Sequence, residues 1–293
     1  MKRKLYVVII LFWTLIHHVQ AQKAVNFKIF KANGHKTSYK KLLKKAAQAD
    51  IVFFGEEHDN PIAHWFEIKL TKDLYKKTKG NIIMGAEMLE TDNAQAYTDY
   101  LKGKITYKKL KKEARLWPNF KTDYKPLLDF AKEKNIRFVA TNIPRRYASR
   151  VFHGGFKALD TISNKEKAWI APLPIKYDST LTSYVAMTKM EHVKYMPKKM
   201  QKNMPKAQAV KDATMAYNIL KNYQKGNIFI HFNGSYHSNN KQGIVWYIKQ
   251  KNPKLKIMTI DVETQEQLKK LNPKHLNKAD FIIIIDQDMP RSY

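Results

Sequence analysis

The stretch Ile51-Val52-Phe53-Phe54-Gly55-Glu56-Glu57-His58-Asp59-Asn60 decides how this chain is read. Its first four residues are β-branched or aromatic, with apolar side chains on both faces of an extended chain. Such a run is too short for a helix and suits a strand covered by helices on each side. Glycine then permits a tight turn, and a polar segment follows. A helical pattern begins at once, over 62–77. Further strands are expected at 82–85, 137–141, 228–232, 257–260 and 281–285, and further helices at 92–101 and 124–134. Strands alternating with helices predict an α/β fold, a mostly parallel sheet flanked by helices.

The alternation lapses between about 160 and 224, where amphipathic segments rich in Met, Lys and Tyr replace any strand signal. Met187, Met190, Met196, Met200, Met204 and Met215 all fall there. The stretch predicts a helical subdomain inserted into a single domain spanning 22–293. A Met-rich helical face suits irregular core packing or an adaptable binding surface.

The chain has 293 residues, 44% hydrophobic and 27% charged, the balance of an ordinary globular protein. Its 54 Lys and Arg against 25 Asp and Glu give a net charge of +29. Only Arg3, Arg115, Arg137, Arg145, Arg146, Arg150 and Arg291 are arginine; the remaining basic residues are lysine. Sequence-specific readers of nucleic acid rely on the guanidinium fork, so nucleic acid is not an expected partner. The lysines recur at helical spacing, as solvated helix faces do.

At the N-terminus Lys2, Arg3 and Lys4 precede an apolar run from Leu5 to Ile16, and Val19-Gln20-Ala21 follows. A basic start, a short apolar core and small residues at the end predict a cleaved signal peptide over 1–21 and a periplasmic or secreted protein. The chain has no cysteine. It is therefore expected to carry neither disulfides nor a cysteine-linked lipid anchor.

In open α/β sheets, ligands bind beyond the carboxyl ends of the strands. Two of those ends read alike, Gly55-Glu56-Glu57-His58 and Gly234-Ser235-Tyr236-His237, and Glu87 closes the strand expected at 82–85. Two imidazoles with Glu56 and Glu87 fit either a mixed nitrogen and oxygen metal site, of His58, Glu87 and His237, or an acid/base set. The same residues also suit a structural hydrogen-bond network. Asn142 and Arg145 follow the strand expected at 137–141 and are candidates to line a ligand cleft. His64, one turn into the next helix, reads as a helix-face residue near that cleft. No dinucleotide fingerprint, Walker loop, serine-hydrolase elbow or His-Glu-x-x-His motif is present.

Several of these segments resemble one family. Phe53 to Pro61 is similar to the opening motif of the ChaN-like haem-binding proteins, members of the Tiki superfamily. Gly85-Ala86-Glu87-Met88 with Gln95, and Trp117 with Tyr124, Pro126, Leu127 and Leu128, resemble later motifs of that family. So do Asn142-Ile143-Pro144-Arg145 and the helix bearing Ala207-Gln208, Asp212-Ala213 and Met215-Ala216. The resemblance spans about 51–243. It implies haem as the cofactor, a role in haem or iron acquisition, a homodimer, an outer-membrane haem receptor as partner and a tyrosine as iron ligand. Tyr124, within a matching segment, is the candidate ligand. The fourth strand end departs from the family pattern, with Tyr236 where Gly-Asn-Gly-His has its second glycine. The wider superfamily also contains hydrolases. The alternative is therefore metal-dependent hydrolysis using His58, Glu87 and His237, with Glu56 in support and a divalent ion bound.

Overall fold

Eight strands form one sheet in the computed structural model, which describes residues 27–293. The expected signal peptide, 1–21, lies outside the described residues. In chain order the strands are β1 (Phe27–Lys31), β2 (Lys36–Thr37), β3 (Ile51–Glu56), β4 (Ile82–Glu90), β5 (Phe138–Asn142), β6 (Ile228–Gly234), β7 (Ile257–Gln265) and β8 (Phe281–Asp286). Across the sheet they run β2-β1-β8-β7-β3-β6-β4-β5. Strands β3 to β8 are mutually parallel, and the β1–β2 hairpin joins β8 antiparallel.

Side chains alternate across β3, and each face meets its own layer. Val52 and Phe54 pack beneath α1 (Tyr39–Ala46), α2 (Pro61–Lys77), α3 (Ala94–Leu101), α4 (Tyr107–Glu113), α5 (Phe120–Asp123) and α6 (Lys125–Glu133). Ile51 and Phe53 face the opposite layer. That layer holds α7 (Arg145–Gly154) and, after the short α8 (Asn164–Lys167), α9 (Thr182–Thr188) and α10 (Glu191–Lys194), the long α11 (Lys198–Asn222) and α12 (Ile244–Lys251). Burying both faces is what a continuous apolar strand requires.

Between β5 and β6 the chain is helical, as expected from its pattern, yet its longest helix does not stand apart. Val210, Ala213, Met215, Ala216 and Ile219 of α11 share one buried cluster with Ile51, Phe53, Ile83 and Phe229 of the sheet, and α11 lies against β5. Two features differ from the sequence reading. The β1–β2 hairpin was not expected; Phe27-Lys28-Ile29-Phe30-Lys31 does not alternate strictly, and β1 buries Ile29 on one face and Phe30 on the other. Strand β4 runs five residues beyond its expected end, carrying Glu87 and Glu90 in fully buried backbone. Those carboxylates stay in the strand because they find partners there. Among the described residues, no helix is long and apolar enough to cross a membrane.

Candidate functional site

Strand order creates the site. β6 inserts between β3 and β4, with Glu56 beside Gly234 and Ala86 beside Phe232. The carboxyl ends bearing Gly55-Glu56, Gly234 and Glu87 are thereby neighbours, although about 150 residues of chain separate Glu87 from His237. The turn after β3 is closed locally. The Asn60 side chain accepts from the backbone N–H of Ile62 and Ala63 at 3.1 and 3.2 Å, and Pro61 opens α2. This is an N-cap followed by proline at the first helical position.

Alternation then sorts the carboxylates. Glu56 follows Val52 and Phe54 onto the α2 face. Its Oε1 accepts from the Tyr124 hydroxyl at 2.8 Å and lies 2.8 Å from His58 Nδ1. His64 Nδ1 sits 2.9 Å from Glu56 Oε2 and 3.5 Å from Glu67 Oε2. Its Nε2 donates to the His58 carbonyl at 3.1 Å and lies 3.4 Å from Asp123 Oδ2. Burial alone pushes the Glu56 carboxyl up, but the hydrogen bond from His58 and the His64 cation outweigh it and hold it at about 2. Burial pushes the His64 imidazole down; its bonds to Glu56 and Glu67 reverse this and raise it to about 11. Burial, and then the charge of Glu56, push the Glu67 carboxyl well up.

Glu87 belongs to the other face, beneath α11. Its Oε2 accepts from the Gly234 N–H at 2.9 Å, and its Oε1 lies 3.1 Å from His237 Nε2. The other nitrogen of His237 meets Asp212 Oδ1 at 2.5 Å, and Tyr184 donates to Asp212 Oδ2 at 2.8 Å. Burial pushes the His237 imidazole down, but the two flanking carboxylates raise it to about 9. Burial raises Asp212. Glu87 is driven far below the usual carboxylate range, because His237 outweighs the upward push of burial. His237 is therefore an imidazolium held between two carboxylates at neutral pH.

His58 links the two halves and is partly open to solvent, its side chain 34% exposed. Its ring stands edge-on to Trp117 at 4.8 Å. A Cβ on Gly234 would fall 2.6 Å from His58 Nε2 and 3.6 Å from Glu87 Oε2. The glycine is needed for this close approach, since its φ of −56° suits any residue. Gly234→Ala is expected to push His58 off Glu56 and cost about 1–3 kcal/mol, the usual penalty of overpacking. Thermal melts, with the His58 imidazole followed by NMR, check this; an unmoved His58 resonance refutes it.

The structure brings together the four expected residues Glu56, His58, Glu87 and His237, but as two carboxylate–imidazole sets rather than one. Among the described residues, the side chains with ligand atoms mutually within 4.8 Å are Glu56, His64 and Glu67, not the expected His58, Glu87 and His237. Tyr124 is 3% exposed, and burial and the Glu56 carboxylate hold its phenol far above its ordinary pKa. It serves as a donor to Glu56 and offers no oxygen to the cleft. Asn142 is buried and donates to the Glu87 carbonyl at 2.9 Å, so it braces the site instead of lining it. Arg145 is exposed at the start of α7.

Glu67, Asp123, Asp212 and Tyr184 were not singled out from sequence, and His64 only weakly. The His64–Glu67 spacing, one turn apart at a capped helix start, is a signal that could have found the first pair. Asp212 lies in a matched segment but gains its partner only through folding.

A family model described as haem-binding uptake, Tiki superfamily, ChaN matches residues 42–248. Among solved structures, the chain is similar to a ChaN of Campylobacter jejuni described as binding haem cofacially, at 18% identity and a TM-score of 0.69. That likeness covers 90% of this chain and 98% of the other. A Bacillus cereus protein is 15% identical with a TM-score of 0.52, covering 86% of this chain and 92% of its own. At such identities the likeness shows a shared fold. Comparison with curated proteins finds no match.

Proposed function

The chain belongs to the ChaN family of haem-binding uptake proteins in the Tiki superfamily, and from that membership we propose that it is an exported protein binding haem at the outer edge of the β3–β6–β4 cleft, for haem or iron acquisition. The observation that carries this reading is the family match itself, which takes in every strand end of the cleft. The same reading makes 1–21 a cleaved leader, the mature protein a homodimer and an outer-membrane haem receptor its partner.

The donor set at this edge fits haem. Tyr236 is 48% exposed, one residue before His237. Trp117 and the open part of His58 supply aromatic surface for a porphyrin. The partly open His58 imidazole offers an N–H, and the exposed Arg145 a cation, to propionates. Bound haem would supply a ferric iron, which a tyrosine oxygen can hold. With Tyr124 committed to Glu56, Tyr236 is the phenol we assign to that role.

Haemin titrated into the protein is expected to give a saturable absorbance change. Tyr236→Phe should weaken it by at least about tenfold, and Tyr124→Phe by less than about threefold. The reverse pattern would return the ligand to Tyr124 and keep the function. No saturable binding would sink the reading. Metal-assisted hydrolysis by His58, Glu87 and His237 has less support. Both His237 nitrogens already face carboxylates, Glu87 and Asp212, and the ligand atoms of His58, Glu87 and His237 do not converge as those of Glu56, His64 and Glu67 do.

A further inference from the structure

Beneath His58, on the α2 face, lies a buried set of side chains that the haem reading does not use. Glu56 is 1% exposed, His64 5% and Glu67 0%. Glu67 Oε1 has no hydrogen-bond partner, and Glu56 Oε2 has only His64 Nδ1, 2.9 Å away. A fully buried carboxylate oxygen that nothing satisfies, as Glu67 Oε1 is, is costly unless a cation sits beside it. Among the described residues, no Lys or Arg pairs with Glu56, Glu67 or Asp123, so three carboxylates surround one imidazole.

We propose that Glu56, His64 and Glu67 form a binding site for a first-row divalent cation, zinc or manganese, that ties the end of β3 to α2. The spacing suits it. Ligand atoms about 2.0–2.2 Å from a metal stand about 3–3.5 Å from one another, and His64 Nδ1 is 2.9 and 3.5 Å from the glutamate oxygens. The outer partners suit it as well. A metal-bound histidine turns its other nitrogen to a carboxylate or carbonyl, and His64 Nε2 faces both Asp123 and the His58 carbonyl. The second oxygen of Glu56 is fixed by Tyr124 and His58. One imidazole with two carboxylates is a mixed nitrogen and oxygen donor set that those ions accept. The ion would be a positioning element, holding Glu56 and through it His58.

This site does not depend on haem binding. Protein stripped with a chelator is expected to take up one equivalent of Zn²⁺, Mn²⁺ or Co²⁺, the cobalt form gaining a visible absorption band. At a hundredfold excess over Kd the melting temperature should rise by about 5–10 °C. Glu67→Gln should abolish uptake, and Asp123→Asn should weaken it by about 10–100-fold. His237→Ala and Tyr236→Phe should leave it unchanged. Wild-type protein that takes up none of the three ions overturns the proposal whatever the variants do. So does uptake that survives in folded Glu67→Gln, or that is lost in folded His237→Ala.

Discussion

Replacing Glu87 by alanine is expected to lower the melting temperature by roughly 6–20 °C. Glu87 is 3% exposed and satisfies two groups at once, the Gly234 N–H and His237 Nε2. Truncation leaves a buried N–H without an acceptor and strips an imidazolium of one of its two counter-charges. Breaking a buried ion pair from one side costs about 3–5 kcal/mol, because the remaining charge stays desolvated. For a domain of this size each kcal/mol is worth about 2–4 °C. Glu87→Gln keeps an acceptor for Gly234 and should lose less than the alanine variant. Differential scanning calorimetry on both, against the exposed Glu133→Ala, measures the effect. An alanine variant melting within about 2 °C of wild type would show that the His237 cluster contributes nothing net.

The second large effect is on pH dependence. His237 is raised from 6.5 to about 9 and His64 to about 11 by their carboxylate partners. A group whose folded pKa lies above its unfolded value stabilises fully below the unfolded value, here 6.5, and that stabilisation is lost as pH rises through the folded value. Stability should therefore fall between pH 6.5 and 9 as His237 loses its proton, and further toward pH 11. For the fully buried His237 this amounts to about 3 kcal/mol. Glu56 acts on the acid side. Its carboxyl is held at about 2, so its contribution is present above about 4.5 and disappears as pH falls toward 2. Asp212 and Glu67 are raised by burial, so their ionisation works against the fold. Maximum stability is expected near pH 5–6.5. Urea unfolding at pH 5.5, 7, 8 and 9 tests this, with His237→Gln expected to flatten the slope between 6.5 and 9. Stability that is level or rising across that interval in the wild type would contradict the charged His237.

Much of the architecture can be read in short segments. Ile51 to Phe54 is a strand because its β-branched and aromatic side chains need cover on both faces, and Asn60-Pro61 starts a helix by capping chemistry alone. The edge hairpin is harder, since two lysines interrupt Phe27-Lys28-Ile29-Phe30-Lys31 and the segment pairs with β8 at the far end of the chain. The far half of β4 escapes for a different reason. Glu87 and Glu90 read as the end of a strand until their partners are known.

Sequence by itself determined the α/β class with its mostly parallel sheet, and singled out the strand ends bearing Glu56, His58, Glu87 and His237 as candidates. Only the tertiary structure decided which carboxylate serves which imidazole. Insertion of β6 between β3 and β4 is a non-local pairing, and no local pattern encodes it. Once the strands lie in that order, the twofold alternation of side chains sends Glu56 to the α2 face, with His64, Glu67 and Tyr124. It sends Glu87 to the α11 face, with His237 and Asp212. Tyr124 is buried against Glu56 on the first face, and Tyr236, on the turn after β6, faces solvent.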